Sequence, residues 1–168
     1  MMEGPHVSAI DDLLVNNRRY AQSFTGPPTG RPSLCLAVVA CMDARMDVYA
    51  LLGLSPGEAH VIRNAGGEIA EDELRSLTIS QHELGTTEIM LIHHTECGMQ
   101  TFTSKELKAE LLAETGHKPR WASLAFTDLD ADVRRSIARV KACEFLRHTD
   151  SVRGFVFDVA SGDLREVS

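Results

Sequence analysis

The chain has no apolar run long enough to cross a membrane. Its longest, Leu34 to Met42, falls well short of the ~20 residues a spanning helix needs. No basic stretch leads into an apolar segment near the start, where Glu3, Asp11 and Asp12 stand instead, so nothing there reads as an export signal. Positive charge is in deficit: 17 lysines and arginines face 24 aspartates and glutamates, a formal net charge of -7. That balance excludes broad electrostatic binding to nucleic acid or to an anionic membrane, but not the handling of a small anion by one arginine. Cysteine is scarce, four in 168 residues, and Ala44 stands where a Cys-x-x-Cys redox pair would need a second thiol after Cys41. Six residues after Cys41 comes Asp47, not the arginine of a cysteine-phosphatase loop, and a carboxylate there would repel phosphate. Gly66-Gly67 is too short for a phosphate-binding fingerprint. The expected location is the cytoplasm, where cysteines serve as buried thiols or metal ligands rather than disulfides.

What is present is ordinary for one folded domain, with 43% hydrophobic and 24% charged residues. Ile10, Leu13, Leu14, Ala21 and Phe24 recur at helical spacing behind Ser8, which predicts an amphipathic helix over 8–24. Gly26-Pro27-Pro28-Thr29-Gly30 and Pro32 end it. Three apolar runs, Leu34–Ala40, Ala59–Arg63 and Glu88–His93, read as strands. Between and after them, helices are expected over 47–52, 71–84, 104–114 and 127–146, with strands over 154–160 and 164–167. The alternation predicts an α/β fold: a single domain with a mainly parallel β-sheet flanked by helices and an N-terminal helical arm. Residues 1–33 are the arm and linker, and 34–168 the α/β body.

Two local clusters carry the chemistry. Cys41-Met42-Asp43-Ala44-Arg45 follows the first buried strand, and His94-Thr95-Glu96-Cys97 follows the third. Strand carboxyl ends are where open α/β sheets bind ligands, so the clusters meet if the two strands are neighbours. Cys41, His94 and Cys97 would then offer two thiolates and an imidazole, ligands suited to Zn²⁺. The spacing of three between His94 and Cys97 is that of one face of a helical turn. Three protein ligands leave a tetrahedral zinc one open position, the pattern of a catalytic site. Cys35 and Cys143 read as core thiols and Trp121 as a packing anchor. His93, next to a ligand, should point to the opposite face, into core or an interface. Proton relay is its weaker alternative.

The motif Cys41-x-Asp43-x-Arg45, followed by His94-x-x-Cys97-Gly98, resembles the β-class carbonic anhydrases. The segment Arg63-Asn64-Ala65-Gly66 is similar to the one these enzymes carry after their second strand. The resemblance runs from about Leu34 to Met99. It implies reversible hydration of CO₂ to bicarbonate and a proton by hydroxide held on Zn²⁺. Cys41, His94 and Cys97 are then the metal ligands, and 34–168 is the zinc-binding catalytic domain. Arg45 would keep Asp43 ionised and in place, and Asp43 would accept a hydrogen bond from the hydroxide. In some members this aspartate instead closes the site as a fourth ligand. Gly66 would let backbone approach the substrate. The resemblance also implies an arm that wraps a partner subunit, hence a homodimer or homotetramer. Two other readings keep the zinc: hydrolysis of CS₂ or COS on the same fold, and a non-catalytic zinc-binding module.

Overall fold

The structure is a computed structural model that describes residues 8–27 and 29–168. Helix α1 (Ala9–Gln22) opens it, with the Ser8 hydroxyl accepting from the Ile10 N–H at its start. The body follows as β1 (Leu36–Cys41), α2 (Val48–Leu52), β2 (Ala59–Asn64), a 3₁₀ turn at Ala65–Gly67, α3 (Glu71–His82), β3 (Glu88–His94) and a second 3₁₀ turn at Gly98–Gln100. It closes with α4 (Ser104–Thr115), α5 (Leu129–Lys141), β4 (Val152–Phe157) and β5 (Leu164–Val167).

The five strands form one sheet in the order β2-β1-β3-β4-β5. The first four run parallel, and β5 returns antiparallel to β4. This is the mainly parallel α/β sheet expected. β1 is an interior strand between β2 and β3, with Ala37 through Cys41 buried, which accounts for its continuous apolar run. Val38, Ala40 and Ile92 pack with Met46, Val48 and Phe126. Ala37, Val39 and Leu91 pack with Ile69, Leu77 and Val140 of the other core.

Helix α5 presses closely on the sheet because Gly154 of β4 has no side chain. A Cβ at Gly154 would come within 2.3 Å of Val133 and 2.8 Å of Ile137. The helix is shorter than its stripe predicts, ending at Lys141, so Cys143 and Leu146 pack from the following segment. Two further expectations fail. Cys35 is an exposed residue with φ 52° just ahead of β1, not a core thiol. Trp121 is 56% exposed and anchors no core. Both lie beside turns, where an apolar letter in the sequence does not carry burial with it.

Candidate metal centre

From the end of β1 the chain turns to β2 on one side, while β3 pairs on the other. The two loops therefore leave a gap at the strands' carboxyl edge, the switch point at which α/β sheets bind ligands. Cys41 ends β1 and His94 ends β3. Their placement, with Cys97 just beyond, brings three ligand atoms within 4.8 Å of one another. The two sulfurs lie 4.0 Å apart. All three residues are buried, His94 completely.

His94 and Cys97 do not share a helical turn. His94 is the last strand residue, and Glu96 between them takes φ 56°, in the left-handed region. That turn swings Cys97 back beside the strand end, where it precedes the second 3₁₀ turn. The His94 Nδ1–H donates to the Thr95 carbonyl at 2.8 Å. Its Nε2 is buried without a hydrogen-bond partner. An imidazole with one nitrogen tied to a carbonyl and the other free presents its lone pair to a metal.

The electrostatics suit a cation. The Cys97 thiol donating to Cys41 is the largest influence lowering the Cys41 thiol, which falls well below the usual thiol range against the opposing effect of burial. The backbone N–H groups of Asp43 and Gly66 also lower it. Cys97 is pushed up in turn, because it holds the proton shared with Cys41. Burial pushes His94 down, yet the adjacent Cys41 sulfur, the Thr95 carbonyl and the Asp43 charge leave it raised. A divalent ion would replace the shared proton and satisfy both sulfurs and Nε2 together.

Asp43 and Arg45 form a fork beside these ligands. Arg45 donates from Nε to Oδ1 at 3.0 Å and from a terminal nitrogen to Oδ2 at 2.9 Å. The Arg45 backbone N–H adds a third bond to Oδ1 at 2.9 Å. These bonds hold the Asp43 carboxyl far below the usual carboxylate range. Its Oδ2 lies 3.7 Å from His94 Nε2. Gly66 is buried with φ 87°, a backbone shape that favours glycine.

Several partners were invisible in the motifs. Arg63 of β2 donates to the Cys41 carbonyl at 3.0 and 2.8 Å and to the Asp43 carbonyl at 2.7 Å. Arg45 reaches Glu96 as well, through its carboxylate at 3.2 Å and its carbonyl at 3.1 Å. His93 faces away from His94, toward Asp132 of α5. Arg63 stood inside a segment the sequence singled out, but its targets depend on β2 pairing in register with β1.

The carbonic anhydrase family profile matches residues 36–153. The β-carbonic anhydrase 1 of Mycobacterium tuberculosis is 51% identical over 162 residues, 96% of this chain and 99% of that protein. The chain belongs to the β-class carbonic anhydrases. The crystal structure of a carbonic anhydrase from Streptococcus mutans superimposes with a TM-score of 0.89 at 37% identity, covering 96% of this chain and 99% of that one. A carbon disulfide hydrolase from Acidianus is 42% identical over 111 residues, 66% of this chain and 52% of that protein. Zinc is the cofactor of β-carbonic anhydrases, and the buried Cys41–His94–Cys97 donor set fits that ion.

Proposed function

We propose that this β-carbonic anhydrase reversibly hydrates CO₂ to bicarbonate and a proton, with Cys41, His94 and Cys97 holding zinc. The observation that carries the reading is the fork-paired Asp43–Arg45 standing beside a buried two-thiol, one-imidazole set. A structural zinc needs neither Asp43 nor Arg45, which weighs against a non-catalytic module. When bound, the ion acts as a Lewis acid that makes water acidic enough to attack CO₂ near neutral pH.

The chain's own residues do the rest. Two thiolates cancel most of the ion's charge, so the centre acidifies water less strongly than one with neutral ligands. Asp43 offsets this by offering a fixed, ionised acceptor to orient the attacking water. Arg45 holds that carboxylate from three directions, which supports a role as acceptor rather than fourth ligand. Gly66, whose backbone N–H lies on the Cys41 sulfur, would let backbone approach the substrate.

Stopped-flow CO₂ hydration on protein of measured zinc content tests the reading. We expect rapid turnover with about one zinc per chain. Asp43→Asn should keep the zinc and lose most of the activity, and Cys97→Ser should lose the zinc as well. Full zinc with no hydration between about pH 7 and 9 would sink the proposal and shift attention to CS₂ or COS, which the same assay format can supply.

We also place the protein in the cytoplasm as a homodimer or homotetramer, with α1 as an arm on a partner subunit. The four cysteines are free thiols, which suits a reducing compartment. Helix α1 buries none of its residues, and Ile10, Leu13 and Leu14 are each more than half exposed.

A further inference from the structure

The β1–β3 pairing stops at Ala40↔Ile92, so His93 and His94 have no ladder partner on that side. On the other side they remain paired, His93 with Val156 and His94 with Phe157. The zinc-facing histidine therefore sits on a strand end supported by one ladder only. Because successive strand residues point to opposite faces, any roll of this end that moves His94 must also move His93.

His93 is fully buried, and its Nδ1 lies 3.0 Å from Oδ2 of Asp132, which is also fully buried. Its ring stands tilted against Phe126, with centroids 6.2 Å apart. Asp132 in turn pairs with Arg135 one turn along α5, and Arg135 lies 3.6 Å from Glu68. Helix α5 can seat Asp132 this deeply because Gly154 leaves room for the adjoining Val133. Arg139 of the same helix donates to the Ile69 carbonyl at 2.7 Å, so α5 also grips the segment that follows Gly66 and Gly67.

We propose that Asp132 is a positioning residue for the zinc site: through His93 it locks the rotation of the β3 end and so aims His94 at the metal. The inference rests on the carbonic anhydrase reading above. It assigns the buried pair a job beyond packing, because a merely apolar filler would leave the strand end, laddered on one side only, free to twist. The pair acts from the opposite face of the sheet and touches neither substrate nor metal.

The test compares Asp132→Ala, Asp132→Asn and Val133→Ala in the full chain. Each is loaded with cobalt to read its visible spectrum and with zinc to read loss of metal to a chelator. Asp132→Ala should release zinc roughly ten- to a hundredfold faster, the range seen for groups that orient ligands indirectly. It should also alter the cobalt bands and lower kcat more than it raises KM. Asp132→Asn, which keeps an oxygen toward His93, should restore most of each property. Val133→Ala loosens the same helix without touching His93 and should lower Tm while leaving the cobalt bands in place. The proposal is overturned if Asp132→Ala keeps the parental cobalt spectrum and zinc release. It is equally overturned if Val133→Ala, at similar loss of Tm, changes both as much. Should Asp132→Ala fail to fold, His93→Gln decides the matter: altered cobalt bands with faster zinc release support the proposal, and parental bands with parental release overturn it. Absence of zinc or of CO₂ hydration in the parent protein would instead fail the underlying reading, independently of these variants.

Discussion

At the scale of single residues, the Asp43–Arg45 fork depends on guanidinium geometry. A lysine at position 45 would keep the charge but lose the paired Nε and terminal-nitrogen contacts. We expect Arg45→Lys to retain zinc and to lose about ten- to a hundredfold in kcat, measured by stopped flow beside Asp43→Asn. Glu68 poses a different problem. It is 2% exposed, and neither carboxylate oxygen has a hydrogen-bond partner. Burial, partly offset by Arg135 and Arg139, pushes it up from 4.5 to about 7. Between those two values the unfolded chain has released a proton that the folded protein still holds. Stability therefore falls as pH rises through that window. Glu68→Gln removes this dependence. Urea denaturation should show its advantage over the parent growing from about pH 4.5 to 7 and then levelling; a constant difference would contradict the assignment. Arg135→Gln should destabilise the parent by leaving two buried carboxylates without their cation. Much of that loss should vanish in the Glu68→Gln background, as a double-mutant cycle would reveal.

At the scale of elements, the site is built by strand ends and by what restrains them. Arg63 ties β2 to the turn that leaves β1, through three hydrogen bonds to the carbonyls of Cys41 and Asp43. Losing a charged donor to backbone oxygens costs about 1.5–3 kcal/mol. For a domain of this size that is a fall of roughly 3–12 °C in Tm. Arg63→Met should show such a fall by calorimetry, with activity dropping because both Cys41, a ligand in the proposal, and Asp43, its proposed acceptor, lose their backbone anchor. At the other end of β2, His60 bridges Ser80 of α3, at 2.7 Å, and the Gly30 carbonyl, at 3.0 Å. The linker that follows α1 is thereby pinned to the sheet's edge strand. The chain thus controls where the arm departs as well as where the metal sits.

At the scale of the whole molecule, α1 is the conspicuous unfinished part. A 14-residue helix with no buried residue is marginal alone, and its apolar stripe needs a surface. On the arm proposal, light scattering at micromolar concentration should show at least a dimer. Leu13→Asp combined with Leu14→Asp should shift it toward monomer while the α/β body keeps its far-ultraviolet spectrum. An unchanged mass for the double variant would remove α1 from the interface.

The order of strands and helices, the two strand-end clusters and the candidate donor set were all legible in the primary structure. Those features depend on local periodicity and on residues close together in the chain. It also placed His93 opposite His94, because strand alternation is a local rule. It misjudged Cys35, Trp121 and the backbone linking His94 to Cys97. In those places a turn's dihedral angles, not a repeating pattern, decide where a side chain goes. That β1 and β3 are neighbours, which turns two separate motifs into one centre, emerges only from the folded sheet. The same holds for Arg63 on the Cys41 and Asp43 carbonyls and for Asp132 against His93. Such contacts join residues some twenty to forty positions apart. They exist only after strand register and the seating of α5 on Gly154 have been set by packing, which no local stretch of sequence encodes.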